Sequence, residues 1–281
     1  MTVKLVSKTQ YLAFWIATLV ATGLRVFWLF AMTDLSDGTV KSPFSYYEYL
    51  FAAIYLVLGV LLTANSMTAK AKPTLSRRSW LLGITSLITA GCFLADAGLC
   101  LVRCLRGEPL LTDSLSFEAV LGVLDLLACG YFALFGLQKL EFIDLLLNPV
   151  LPLVTLLQMM LRLLMSFFRF TRVASMGEEQ YMMLLLIGYA IFWIYYCRMA
   201  TGLGAAKKGN RMLFAPMLAF FIGTFVLVPH MLAACFEPAI LDSGNFTFSD
   251  FGTALFALAC VNNMMTLKKK TPPAADVGVV A

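Results

Sequence analysis

Apolar runs of about 20 residues recur along the chain between short polar segments, and each is long enough to cross a hydrocarbon core of about 30 Å. They cover Tyr11–Met32, Ser45–Ala64, Trp80–Val102, Phe117–Leu137, Pro149–Phe168, Tyr181–Cys197, Met212–Ala234 and Phe251–Leu267. The pattern predicts an all-α, polytopic bundle of about eight transmembrane helices. We expect one bundle over residues 1–270 and a disordered tail over residues 271–281, where prolines follow a lysine run.

The composition excludes a water-soluble fold. Of the 281 residues, 60% are apolar and only 13% are charged, and the mean hydropathy is +0.84. Soluble domains carry about 25% charged residues. The net charge of +5 does not indicate a nucleic-acid partner, because the basic residues form short clusters between apolar runs. We therefore expect an integral protein of the plasma membrane, in contact with the lipid bilayer.

The same basic clusters predict the orientation. If the N-terminus is cytoplasmic, the segments on that side hold fourteen Lys and Arg residues, whereas the opposite side holds five. Basic residues concentrate in cytoplasmic loops of membrane proteins. With eight crossings, both termini are expected in the cytoplasm.

The fifth run is the irregular one. Asn148-Pro149 and Pro152 interrupt its start, and Gln158, Arg162, Ser166 and Arg169 fall on one narrow helical stripe. Such a helix either lines a polar cavity or lies flat in the membrane interface. We expect a crossing; a flat helix would reduce the number of crossings to seven.

A weak internal similarity predicts a parallel repeat of four plus four helices, in residues 1–140 and 141–270. Phe117–Cys129 and Phe248–Cys260 share the pattern F-x6-L-x-x-L-A-C. At nearly the same offset, Ser45-x-x-Glu48 and Ser175-x-x-Glu178 resemble capping boxes. The alternative is two unrelated sets of helices with ordinary caps.

Charges within the runs are the strongest indication of a site, because an ionised side chain at the helix centre costs about 2.5–3.5 kcal/mol on insertion scales. The candidate residues within the runs are Arg25, Asp96, Asp125, Arg162 and His230. At about 1.5 Å of rise per residue, the first three lie roughly 4–7 Å outward of the midpoint of their run, and the other two fall in the same outer half. We expect at least one Arg–Asp pair between helices, whose members the sequence does not identify.

The cluster has two interpretations. One is an outward-facing polar pocket in which Asp96 or Asp125, poised by Arg25 or Arg162, binds a proton, a cation or a small polar solute. The other is a structural ion pair that fixes the order of the helices. Asp250 and other carboxylates at predicted helix starts are explained by capping.

No catalytic motif accompanies these charges. His230 is the single histidine, so a multi-histidine metal site is excluded, and no GxSxG, HExxH or SxxK pattern is present. We expect a protein that is not an enzyme and that holds no cofactor or metal.

Three functional hypotheses remain. The best supported is a small permease or an ion- or proton-coupled carrier, favoured by the charges and the interrupted fifth run. The second is a sensory or accessory subunit that binds a protein partner through its cytoplasmic loops. The third is an intramembrane enzyme that acts on a lipid substrate.

Overall fold

The protein folds as an all-helical bundle. A computed structural model describes residues 2–32, 45–67, 79–107, 115–144, 147–172, 177–201, 209–236 and 246–265. This part of the chain contains eight helices and no strand, which confirms the predicted fold class. The helices are α1 (Thr2–Met32), α2 (Ser45–Met67), α3 (Trp80–Arg106), α4 (Leu115–Lys139), α5 (Pro152–Arg172), α6 (Gly177–Ala200), α7 (Gly209–Ala234) and α8 (Phe248–Met265).

Five of the eight described helices are long and apolar enough to cross a membrane. Their apolar spans are Thr9–Met32, Trp80–Arg106, Ser116–Lys139, Gln180–Ala200 and Leu213–Ala234. Large apolar side chains such as Leu19, Leu56 and Leu101 are exposed on the surface of the bundle, while Arg25 and Arg162 are buried. This distribution reverses that of a soluble protein and identifies an integral membrane protein.

Each predicted run falls on one helix, with differences at the ends. Helix α1 begins nine residues before the predicted run, and α8 begins at Phe248, three residues before it. The tail over residues 271–281 and most of the basic clusters lie outside the described residues. The orientation and the repeat stay predictions.

Helix α5 begins at Pro152 rather than at the predicted Pro149, because the chain first makes a turn in which the Asn148 Oδ1 accepts a hydrogen bond from the Val150 N–H at 3.0 Å. Proline suits the first turn of a helix, where its missing N–H is not needed. The first two residues of the polar stripe, Gln158 and Arg162, are buried in the bundle, whereas apolar residues on the other faces are exposed.

Glycines bring α3 into close contact with α4. A Cβ atom on Gly83 would lie 3.2 Å from the Gly136 carbonyl oxygen, and one on Gly136 would lie 3.0 Å from the Gly83 oxygen. Small residues allow such close backbone approach between membrane helices.

Helix α8 packs on α3 in the same way. A Cβ atom on Gly252 would lie 3.0 Å from the Thr89 Cα atom, and the Thr89 hydroxyl donates a hydrogen bond of 2.8 Å to the Gly252 carbonyl. Because Gly252 lies in the first turns of α8, this contact holds the start of α8 against the middle of α3.

Candidate functional site

The start of α8 is determined by Thr247 and Asp250. The Thr247 N–H donates to the Asp250 Oδ2 at 3.0 Å, and the Asp250 N–H donates to the Thr247 carbonyl at 3.2 Å. This is the backbone half of a capping box, in which the acidic residue three positions into the helix accepts the N–H of the capping residue. Local sequence therefore fixes where α8 begins.

A second carboxylate caps α8 from another helix. Asp96 on α3 accepts hydrogen bonds from the N–H groups of Phe248 at 2.9 Å and Ser249 at 2.7 Å, one on each carboxylate oxygen. These N–H groups belong to the first turn of α8, which has no intrahelical acceptor for them. The negative charge also faces the positive end of the helix dipole. Asp96 is buried, and the two N–H groups of α8 compensate its charge in place of water.

Arg162 on α5 forms a two-point ion pair with Asp250. Its Nη1 and Nη2 atoms donate to Oδ1 and Oδ2 at 2.8 and 2.9 Å. The side chains are 2% and 0% exposed, so the pair lies in the interior of the bundle. The Tyr189 hydroxyl on α6 donates a hydrogen bond of 2.8 Å to the Asp250 carbonyl, which ties a further helix to this point.

Asp125 on α4 has a weaker partner. Its Oδ1 accepts a hydrogen bond of 2.9 Å from the Gln158 Nε2, and both side chains are buried. The Gln158 Oε1 is buried without a hydrogen-bond partner within the described residues, and so is the Thr155 hydroxyl one turn away on α5. A neutral amide compensates a carboxylate charge less than a guanidinium does.

These side chains form one electrostatic unit, which we call the buried acidic cluster: Asp96, Asp125, Gln158, Arg162 and Asp250. Arg162 interacts electrostatically with all three aspartates. In the described part of the chain, the cluster sets one guanidinium against three carboxylates, a formal charge of −2 if all are ionised. Since an uncompensated buried charge costs several kcal/mol, such a site favours the uptake of a proton or a cation.

The structure brings together three of the five residues that the sequence indicated: Asp96, Asp125 and Arg162. The other two lie in different surroundings. The Arg25 guanidinium lies over the Tyr181 ring, 3.8 Å from its centroid, and the buried His230 ring lies 3.9 Å from that of Phe246. Phe246 precedes α8, so His230 adjoins the segment that leads into the cluster.

The sequence predicts an Arg–Asp pair between helices without identifying its members. The partner of Arg162 is Asp250, which lies outside the predicted cluster and which the sequence analysis explains by capping alone. Asp250 serves both purposes, because its Oδ2 accepts from Thr247 and from Arg162. Gln158 and Tyr189 were also not proposed as site residues. The polar stripe of α5 contained the signal for Gln158, but no pattern indicates Tyr189, which lies in an apolar run.

The cluster is not arranged as a metal centre. Within the described ranges, no three His, Cys, Asp or Glu residues converge in a group that would hold a metal ion. Each carboxylate instead faces a hydrogen-bond donor of another helix or of the backbone.

Neither a known protein family, nor a curated protein sequence, nor a solved structure matches the chain.

Proposed function

We propose that the protein is a proton- or cation-coupled carrier of a small polar solute and that the buried acidic cluster is its coupling site. The observation that carries the proposal is the excess of carboxylates over guanidinium inside a membrane protein. Ionisable residues within membrane bundles are expensive and rare, and they mark substrate and ion pathways and proton relays.

The position of the α8 start supports this proposal. Asp96, which caps α8, lies ten residues before the end of α3 at Arg106, a distance of about 15 Å along the helix. Helix α8 thus begins at a depth where α3 still continues. Helix ends inside the bundle are typical of transporter binding sites, and here the charged group at the positive end of the α8 dipole is Asp96.

The buried acidic cluster also connects several helices, so a relative movement of these helices would change its contacts. It joins α3, α4, α5 and α8, and the Tyr189 hydroxyl connects it to α6. A change in the charge of one carboxylate alters contacts between several helices at once, which is how ion binding biases the equilibrium between two conformations.

The two other hypotheses have less support. An accessory subunit would act through its cytoplasmic basic segments, whereas the strongest polar feature here lies inside the bundle. An intramembrane enzyme would need a nucleophile or an activated water, while every carboxylate of the cluster is engaged in capping, ion pairing or an amide hydrogen bond. We therefore assign the cluster to binding rather than to bond-making chemistry.

The test is uptake by reconstituted vesicles. Purified protein in liposomes is given an inward proton gradient, or an inward sodium gradient, together with radiolabelled amino acids, monosaccharides or dicarboxylates. We expect gradient-dependent uptake of one of these classes, its loss in Asp125→Asn and in Asp96→Asn, and its retention in Asp144→Asn. Asp144 is an exposed carboxylate beyond the end of α4 and serves as the matched control.

Two results would overturn the proposal. One is uptake by folded Asp125→Asn protein that equals the wild-type rate. The other is the absence of any gradient-dependent uptake across the three solute classes. Recovery of a co-purifying protein that is lost when Arg77 and Arg78 are neutralised would then favour the accessory subunit.

A further inference from the structure

The three carboxylates of the buried acidic cluster differ in how their charges are compensated. Asp250 receives both Nη donors of Arg162 and the Thr247 N–H. Asp96 receives two backbone N–H groups at the positive end of α8. Asp125 receives one donor from the described residues, the neutral amide of Gln158. Among carboxylates in one buried site, the one whose charge is least compensated is stabilised most by protonation.

Two carboxylates and one guanidinium surround Asp125. Helix α4 packs against α3 and α5. The titratable and charged groups that interact with Asp125 are Asp96 and Cys100 on α3, Arg162 on α5 and Asp250 on α8. Because Arg162 is already bonded to Asp250, the two other aspartates leave Asp125 in a negative surrounding, which favours its neutral form.

Gln158 supplies an independent observation. Its side chain is 1% exposed, its Nε2 faces Asp125, and its Oε1 has no hydrogen-bond partner in the described ranges. The Thr155 hydroxyl on the same face of α5 is likewise buried and unsatisfied among these residues. A buried amide oxygen without a donor has lost its hydrogen bonds to water and gained none in exchange. The Asp125–Gln158 pair therefore lacks one hydrogen-bond donor, the one that Oε1 would accept from.

We propose that Asp125 is the proton-binding residue of the carrier and that Gln158 is the positioning residue that reports its protonation. This inference rests on the proposed function for its role in coupling. When a proton adds to a carboxylate oxygen of Asp125, the O–H becomes a donor. Rotation of the Gln158 amide then breaks the Nε2–H···Oδ1 hydrogen bond, presents Oε1 as the acceptor of the new O–H, and moves Nε2 to the former position of Oε1. Protonation thus removes the negative charge of Asp125 and gives the Gln158 Oε1 a donor, in exchange for the neutral Nε2–H bond.

A proton suits the site better than a metal cation does. Gln158 touches Asp125 directly, with 2.9 Å between Nε2 and Oδ1. A metal cation would have to separate the two side chains and would meet an N–H group on one side, whereas a proton needs no space of its own. The amide is nearly symmetric in shape, so its rotation exchanges donor and acceptor without displacing its neighbours.

The experiment is an infrared titration of the purified protein in lipid. A protonated carboxylic acid has a C=O stretching band that is separate from the bands of carboxylates and amides. We expect one such buried-acid band to appear as the pH is lowered, to be absent in Asp125→Asn and to persist in Asp144→Asn. In Gln158→Leu, which keeps Asp125 but removes its acceptor, the band is expected to shift in frequency. This second variant tests the proposal even if Asp125→Asn does not fold.

The proposal is overturned if the wild type shows no acid band at any pH at which it is folded, or if the band survives in Asp125→Asn. It is also overturned if sodium at constant pH perturbs the carboxylate bands while no acid band forms, because the ligand is then a metal cation. If the band behaves as expected but vesicles show no proton-dependent uptake, Asp125 remains a proton site and the carrier function fails. The two proposals are therefore separable.

Discussion

Arg162 and Asp250 bind each other at two points inside the membrane bundle, with N–O distances of 2.8 and 2.9 Å and almost no exposure of either side chain. The pair joins α5 to the first turn of α8. It neutralises one carboxylate of the buried acidic cluster and leaves Asp96 and Asp125 to be compensated by other means. The charge state of the whole site depends on this pairing.

Removal of one partner of this ion pair should destabilise the protein more than removal of both. Arg162→Gln leaves three carboxylates without their cation, and Asp250→Asn leaves a buried guanidinium without its bidentate acceptor. Breaking one side of a buried pair typically costs about 3–5 kcal/mol. We expect the double variant Arg162→Gln/Asp250→Asn to lose less stability than the two single losses added together, measured by thermal unfolding in detergent. Strict additivity would show that the two side chains do not stabilise each other.

Replacement of Asp96 should loosen the start of α8 without unfolding the bundle. Asp96→Ala removes both acceptors of the Phe248 and Ser249 N–H groups, whereas Asp96→Asn keeps one acceptor oxygen and loses the charge. Loss of a helix cap costs about 1 kcal/mol. Amide hydrogen exchange at residues 248–251 is expected to increase in the order wild type, Asn variant, Ala variant. Equal protection in all three proteins would contradict the capping role.

The contact between α3 and α8 should tolerate no side chain at Gly252. A Cβ atom there would lie 3.0 Å from the backbone of Thr89, which cannot rotate away. Overpacking of this kind costs about 1–3 kcal/mol, so Gly252→Ala is expected to lower the melting temperature. Gly98→Ala is the matched control, because Gly98 also lies in a helix but has no atom within 4 Å of its Cβ position among the described residues.

Gly98→Ala should be neutral or stabilising by about 0.5–1 kcal/mol, since alanine favours the helix more than glycine does. Equal losses at Gly252 and Gly98 would show that helix propensity, rather than close packing, governs the response at these positions.

The sequence predicted the helices because an apolar run of about 20 residues has few alternatives to a membrane helix. It also indicated that Gln158 and Arg162 share one face of α5, because helical periodicity is a local property. The partner of Arg162 was not predictable in this way. Asp250 lies 88 residues later, and its depth in the bundle depends on where α8 begins and on the Gly252–Thr89 contact. Periodicity contains no information about such long-range contacts.

The late position of α8 in the chain has a consequence for biosynthesis. Arg162 leaves the ribosome 88 residues before Asp250, and Asp96 precedes its α8 partners by more than 150 residues. At about 5–20 residues per second, Arg162 waits roughly 4–18 s for its counter-ion. During this interval the nascent chain carries Arg162 without its two-point acceptor, although Asp96 and Asp125 have already been synthesised. A chain truncated before residue 246 lacks the bidentate acceptor of Arg162 permanently. Of the eight described helices, α8 is the one synthesised last, and it supplies the carboxylate that completes this ion pair.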